Sequence, residues 1–161
     1  MSSGRFAAFF SYPAEGAEER DPLVFLGDRP EDDWSRLLGH TEVRRFSAGE
    51  TMISAGEVDR ALYIVAEGRL EILLPGVDGD INFGSIGPGS VVGEIAFLDA
   101  GPRSATIRAV SDGELLRLSF EAYEVLAARY PDLGRAILLD LGRILAARLR
   151  ETNEALARAS T

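Results

Sequence analysis

The stretch GEIAFLDAGPRSATIRA, from Gly93 to Ala109, carries the most specific information in this sequence. Gly93 permits a tight turn and a close backbone approach. Residues 94–98 can form one short helical turn, and the free N–H groups at the start of a helix attract anions. Arg103 follows beyond a turn, and its guanidinium fork matches phosphate oxygens. Glu94 can accept hydrogen bonds from vicinal hydroxyl groups, as carboxylates do with riboses.

These groups offer one cation, one carboxylate and a set of backbone donors. Together they would suit a singly charged phosphate attached to a sugar. A second interpretation uses the same side chains differently: Arg103 and Glu94 could form a salt bridge across an unoccupied turn. The residues alone do not distinguish the two interpretations.

The surrounding chain predicts a fold built mainly of short strands. From Thr41 to Leu118, apolar runs are separated by breaks that contain glycine. Strands at spacings of about 8–12 residues are typical of a barrel, roll or jelly roll, and not of alternating strands and helices. Eight strands are predicted, with the sequences TEVRRF, TMI, ALYIVA, RLEILL, INFGSI, VV, SATIRAV and ELLRL.

Helical periodicity flanks this β-region, which predicts an eight-stranded β-roll of the jelly-roll type with a short N-terminal and a long C-terminal helix. Asp32 or Asp33 can cap the short helix. Residues 120–129 form another predicted helix, and Pro131 can start the long one. The long helix carries an apolar stripe at steps of three or four residues, formed by Leu138, Leu141, Leu145, Leu149, Thr152 and Leu156.

A helix of about 26 residues would extend roughly 39 Å, which exceeds what a small roll needs as cover. We therefore expect the end of its stripe to pack against a second copy in a parallel homodimer. The alternative is a helix that packs entirely on its own domain.

The first 30 residues predict an extended or partly disordered arm, followed by one domain over residues 31–161. Pro13, Pro22 and Pro30 interrupt any regular element there. A solvated tail is one interpretation. A docking segment is the other, because apolar residues from Phe6 to Leu26 are costly in a free tail.

The composition excludes several classes of enzyme. The 161 residues contain no cysteine and no lysine, which excludes thiol catalysis, zinc–thiolate sites and Schiff-base chemistry. The single histidine, His40, cannot build a multi-histidine metal centre. We expect no catalytic activity, no metal and no cofactor.

The net charge of −9 argues against partners that are polyanions. Nucleic-acid binding and docking on anionic membranes both rely on basic surfaces. No apolar run approaches the roughly 18 residues that span a bilayer, and FAAFF is shorter than a secretory core of about 7–15 residues. The expected compartment is the cytoplasm.

Two further segments resemble known binding motifs, but neither has the required residues at the required positions. GSIGPGSVVGE is rich in glycine, but Val92 occupies the third glycine position of a dinucleotide fingerprint. DGDINFG begins like a calcium loop, but Phe83 and Gly89 stand where that loop requires glycine and glutamate. The second segment is interpreted as a hairpin turn.

The Gly93–Ala109 stretch resembles the phosphate-binding cassette of the cyclic nucleotide-binding domain family. The family pattern is G-E-hydrophobic-small-x-hydrophobic-x-x-x-P-R-small-A. This chain meets it with Gly93, Glu94, Ile95, Ala96, Leu98, Pro102, Arg103, Ser104 and Ala105. Upstream, FSAGETMISAGEVDRALYIVAEGRLEI resembles the early strands of the family, and the resemblance extends over about residues 32–155.

The resemblance implies roles for these residues. Glu94 would bind the ribose 2′-hydroxyl and Arg103 the cyclic phosphate, and the backbone amides of Ala96 and Ser104 would complete the cradle. The last helix would cover the base and move on binding. Serine at position 104 also occurs in family members that prefer cyclic AMP, so cyclic AMP is favoured over cyclic GMP.

Bacterial regulators of this family continue from the long helix into a helix-turn-helix, whereas this sequence ends at Thr161. We therefore expect a stand-alone cyclic nucleotide receptor, without a DNA reader, that acts on a protein effector. The alternative is a domain that binds no nucleotide and serves as a protein-interaction module through its N-terminal arm.

Overall fold

Eight short strands and four helices make up residues 24–160, the part of the chain that this computed structural model describes. In chain order they are α1 (Glu31–Leu38), β1 (Glu42–Phe46), β2 (Thr51–Ile53), β3 (Ala61–Glu67), β4 (Leu70–Leu74), β5 (Ile81–Ile86), β6 (Val91–Val92), α2 (Glu94–Asp99), β7 (Thr106–Ala109), β8 (Gly113–Ser119), α3 (Phe120–Arg129) and α4 (Pro131–Ala159). Each of the eight predicted runs overlaps one of these strands.

The strands form two antiparallel four-stranded sheets, ordered β1-β8-β3-β6 and β2-β7-β4-β5. The predicted β-roll with a short N-terminal and a long C-terminal helix is confirmed. The hairpin interpretation of DGDINFG is also confirmed, because residues 75–80 join the paired strands β4 and β5.

Strand β3 lies between two hydrophobic cores, which explains its nearly continuous apolar sequence ALYIVA. Ala61, Tyr63 and Val65 point to the core between the two sheets. Leu62 and Ile64 point the other way, to a core shared with the helices. Alternate side chains of a strand face opposite sides of its sheet, so a strand covered on both faces must be apolar throughout.

The start of α1 differs from the prediction. The helix begins at Glu31, and Pro30 occupies its N-cap without a side-chain capping bond. The fixed φ of proline suits a helix start. Asp33, one of the two predicted caps, lies inside the first turn instead and pairs with Arg29 and Arg36.

The predicted arm of residues 1–30 falls outside the described residues up to position 23. Its last residues pack against the helical core, where Phe25 and Leu26 are buried. The Leu26 amide donates to Asp140 Oδ2 at 2.6 Å, which attaches this segment to α4.

Helix α4 starts at Pro131 as predicted, but it buries a different stripe. Its buried apolar residues are Leu133, Ile137, Leu141 and Ile144. Of the predicted stripe, only Leu141 is buried, whereas Leu138, Leu149 and Leu156 are exposed. Steps of three and four residues occur along both stripes, so the spacing alone did not select the face that meets the domain.

Helices α3 and α4 are joined by a buried hydrogen bond. The Tyr123 hydroxyl donates to the carbonyl oxygen of Gly134 at 2.9 Å. Burial raises the pKa of Tyr123, so its phenol remains a protonated donor at neutral pH. None of the helices in residues 24–160 is both long and apolar enough to cross a lipid bilayer.

Candidate ligand-binding site

A cavity of about 520 Å³ opens between the β-roll, the 93–105 segment and the second half of α4. One wall is apolar and comes from the strands, with Ile53, Ile72, Leu74, Phe83, Ile86 and Ile107. The rest of the lining combines the 93–105 segment with α4 residues Leu145, Arg148, Leu149, Glu151 and Thr152. Such a cavity suits a ligand that has a charged end and a flat apolar end.

The structure brings seven of the eight predicted site residues to this cavity: Gly93, Glu94, Ile95, Ala96, Arg103, Ser104 and Ala105. The eighth, Pro102, is exposed and does not belong to the cavity wall. Pro102 directly precedes Arg103 and therefore lies in the turn that leads into the site.

Gly93 meets the expectation for a tight turn and a close approach. It adopts a left-handed φ of 81° as the N-cap of α2. A Cβ atom at this position would overlap Arg103 Nη1 and lie 3.0 Å from the carbonyl oxygen of Ala61. Only glycine satisfies both the backbone angle and the space.

Arg103 is almost fully buried, with 4% of its surface exposed. Its Nη1 donates to the carbonyl oxygen of Gly93 at 3.0 Å, and its Nη2 donates to Ala61 O at 2.8 Å and to Asp59 Oδ2 at 3.2 Å. These bonds use three of the five N–H donors of the guanidinium. The Nε hydrogen and one Nη1 hydrogen have no partner among the described residues, and Arg103 lines the cavity.

Asp59 holds Arg103 from the side of the sheet, a role that the sequence did not reveal. Asp59 Oδ1 also accepts from Arg117 Nη2 at 3.2 Å. Burial lowers the pKa of Arg117, but hydrogen bonding with Tyr63 and the nearby Asp59 charge outweigh it and raise that pKa overall. One carboxylate thus serves two guanidinium groups behind the cavity.

Glu94 is also buried, and its partner comes from α4. Its Oε1 accepts from Arg148 Nη1 at 2.5 Å, and Arg148 Nη2 donates to Val91 O at 2.8 Å. The alternative Arg103–Glu94 salt bridge is wrong, since each of these side chains has a different charged partner. A buried carboxylate without a cation would be costly, which explains why α4 supplies one.

Sequence reasoning missed the α4 residues of the site, although a signal for them was present. Leu145, Leu149 and Thr152 belong to the predicted stripe, and Arg148 lies three residues after the first of them and four before the last. Positions with this spacing share one helix face. The prediction places only the end of this stripe against a second copy, and it does not indicate that Leu145, Leu149 and Thr152 line the cavity of their own chain.

No group of three or more histidine, aspartate or glutamate side chains suited to a metal ion occurs within residues 24–160. The charged groups of the cavity wall are Glu94, Arg103, Arg148 and Glu151. They can bind an anion and hydroxyl groups.

Comparisons with known proteins agree with this geometry. Residues 43–130 match the sequence model of the cyclic nucleotide-binding domain. The chain is 34% identical over 131 residues to a cyclic AMP receptor protein of Thermus thermophilus, covering 81% of this chain and 58% of that protein. The crystal structure of the Thermus thermophilus catabolite activator protein superposes with a TM-score of 0.75 at 31% identity, over 86% of this chain and 63% of the other.

Another relative is a much longer protein that resembles this chain over a small part of its length. The chain is 31% identical over 147 residues to the lysophospholipase nte1 of Aspergillus terreus, covering 87% of this chain but 9% of that protein. The resemblance is therefore confined to a small part of the enzyme. The chain spans less than two thirds of the length of either of these curated relatives. From the fold, the cavity and these matches together, the chain belongs to the cyclic nucleotide-binding domain family.

Proposed function

We propose that this chain is a cyclic nucleotide receptor that favours cyclic AMP over cyclic GMP. The observation that carries the proposal is the buried Arg103, which retains unused donors beside the buried Glu94 in one cavity. The name of the Thermus relative, a cyclic AMP receptor protein, supports the same ligand.

The proposed ligand position follows from the charges. Arg103 pairs with the cyclic phosphate, and the backbone amides of Ala96 and Ser104 add donors to it. Glu94 accepts from the ribose 2′-hydroxyl, and the apolar wall of the roll receives the base. The Ser104 hydroxyl lies at the same cavity and is compatible with either base.

Helix α4 transmits the signal in this proposal. Arg148 on α4 already pairs with Glu94, so a ribose that binds Glu94 must share that carboxylate with the helix. Ligand occupancy and helix position are therefore linked. A ligand shifts such an equilibrium only by its differential affinity for the two helix positions.

A parallel homodimer through α4 is part of the proposal, together with a protein effector. Leu138, Leu149 and Leu156 are exposed on α4, and the last two lie seven residues apart, which is one heptad. We assign no reaction to the chain, and no nucleic-acid or membrane partner. The cytoplasm remains the proposed compartment.

The test is thermal unfolding of the purified chain with cyclic AMP or cyclic GMP. Ligand at 100 times its dissociation constant adds about 2.7 kcal/mol of stability. For a domain of this size, that raises the melting temperature by about 5–11 °C. We expect a saturable shift with cyclic AMP, and at least a tenfold loss of affinity in Arg103→Ala, because removing a charge-assisted bond costs about 1.5–3 kcal/mol.

Arg108→Ala is the matched control, since Arg108 lies on β7, the strand that follows this segment, but pairs with Glu71 at the surface. It should bind like the parent. Unchanged affinity in Arg103→Ala would refute the assigned site. No shift with either nucleotide at millimolar concentration would favour the alternative, a non-binding interaction module that acts through its N-terminal arm.

A further inference from the structure

We propose that Arg60 is a positioning residue of the ligand site, which holds the carbonyl end of α2 in place and connects that helix to α3. Arg60 does not line the cavity. The inference rests on the proposed function, because α2 carries Glu94 and the Ala96 amide into the site.

Arg60 caps the end of α2 that points away from the ligand. Its Nε donates to the carbonyl oxygen of Phe97 at 2.9 Å, and its Nη2 donates to that of Leu98 at 3.3 Å. The carbonyl groups in the last turn of a helix find no N–H partner within that helix, so they need a donor from outside it. A cation at this end also interacts favourably with the helix dipole.

The same guanidinium contacts the first residue of α3. Arg60 Cζ lies 3.4 Å from the centroid of the Phe120 ring, within the range of a cation–π contact. The Phe120 amide also donates to the Arg60 carbonyl oxygen at 3.1 Å. Phe97 and Phe120 are themselves in edge contact, with centroids 5.4 Å apart. Arg60 therefore joins the end of α2 to the start of α3.

The contacts of Arg60 differ from those of a surface ion pair. Within residues 24–160, its described contacts are two helix carbonyls and one aromatic ring, and none is a carboxylate. The preceding residue, Asp59, holds Arg103. Two consecutive residues before β3 thus hold the two parts of the 93–105 segment, Arg103 and the end of α2.

Helix α2 depends on such external contacts because it has only six residues. Helices this short are not stable on their own in water. Without Arg60, α2 would fray from its carbonyl end, and a ligand would have to order the helix while binding it. The apparent affinity equals the intrinsic affinity multiplied by the fraction of molecules in the binding-competent state. Ordering α2 would then order α3 less, because only the ring contacts of Phe97 would still join the two helices.

The test compares Arg60→Met with the parent chain. Methionine keeps an unbranched apolar side chain but removes every donor and the charge. We expect affinity for cyclic AMP, measured by calorimetry, to fall about tenfold, which equals about 1.4 kcal/mol. Amide hydrogen exchange without ligand should accelerate over residues 94–100. The control is Arg36→Met, since Arg36 also stacks on a ring, that of Tyr130 at 4.6 Å, but does not contact α2.

A second measurement separates positioning from general destabilisation. With saturating cyclic AMP, the parent should gain protection in both α2 and the first turn of α3. In Arg60→Met the gain in α3 should be smaller than in the parent, because only the ring contacts of Phe97 then join the two helices. A purely structural loss would affect both helices equally. Arg60→Lys, whose ammonium group is not a planar fork, should show intermediate exchange, and it replaces Arg60→Met if that variant does not fold.

Parental affinity together with parental exchange over residues 94–100 in these variants would overturn the role of Arg60. A parent chain that binds neither cyclic nucleotide would refute the proposed function instead. The exchange measurement without ligand would still decide whether Arg60 holds α2.

Discussion

At the scale of single residues, the site depends on a glycine as much as on its charged groups. The left-handed backbone of Gly93 turns the chain from β6 into α2, and its missing side chain leaves room for the Arg103 guanidinium. The Gly93 carbonyl then accepts from that guanidinium at 3.0 Å. One residue thus sets both the direction of α2 and the position of the arginine.

Gly93→Ala should therefore reduce ligand affinity more than its effect on stability explains. A left-handed alanine costs about 1–2 kcal/mol in backbone strain, and the new Cβ would also displace Arg103. Gly49→Ala is a close control, because Gly49 has a φ of 87° and a Cβ atom added there would meet nothing within 4 Å. Both variants should lose stability in urea, and only Gly93→Ala should lose more than about tenfold in affinity by calorimetry.

Equal affinity in these two variants would show that space around Arg103 does not matter for binding.

The sequence identified Gly93, Glu94 and Arg103 correctly as neighbours of one cavity. It could do so because their positions depend on a local turn, a short helix and the start of the next strand.

At the scale of secondary structure, α4 is both a structural and a site element. Its first half packs into the helical core through Leu133, Ile137 and Leu141. Its second half covers the cavity and reaches Glu94 through Arg148. The long helix therefore contacts the candidate ligand site through its cavity-lining side chains and through an ion pair. The Arg148 and Glu94 side chains of that pair are 19% and 9% exposed.

Arg148→Met should destabilise the chain because it leaves the Glu94 carboxylate buried without this cation. Breaking such a pair costs about 3 kcal/mol. Arg143→Met provides the comparison on the same helix, since Arg143 is more than half exposed and pairs with Asp140 one turn away. Its loss should cost less than about 1 kcal/mol. Urea unfolding of the two variants measures the difference, and equal losses would mean that the Glu94 pair contributes little.

The predicted strands and helices required only local information, but the orientation of α4 did not. Gly56 and Gly68 mark turns through their positive φ, and alternation in β3 follows from its two cores. In α4, two apolar stripes have similar spacing, and either could form the face that packs against the domain. The stripe around Ile137 shares one hydrophobic core with residues of β3 and α3, and the sequence of α4 does not contain those surfaces.

At the scale of the whole molecule, the exposed leucines of α4 are available for association. Leu149 and Leu156 are each 61% exposed. Replacing both with aspartate should reduce self-association of the chain, because charges at a helix seam are unfavourable. Sedimentation equilibrium of Leu149→Asp/Leu156→Asp should give a monomer mass where the parent gives a dimer. Leu139→Asp, at an exposed position off this seam, should behave like the parent. A monomeric parent would contradict the proposed homodimer.

The strand pattern, the helical regions and the composition of the 93–105 segment can all be read from the sequence alone. These features depend on residue type and on neighbours within a few positions. The charged partners of the site, in contrast, depend on how the chain folds in three dimensions. Asp59 and Arg103 are 44 residues apart in the chain, and Glu94 and Arg148 are 54 apart. No local periodicity relates such positions, because their contact exists only after two sheets and a long helix have packed around the same cavity.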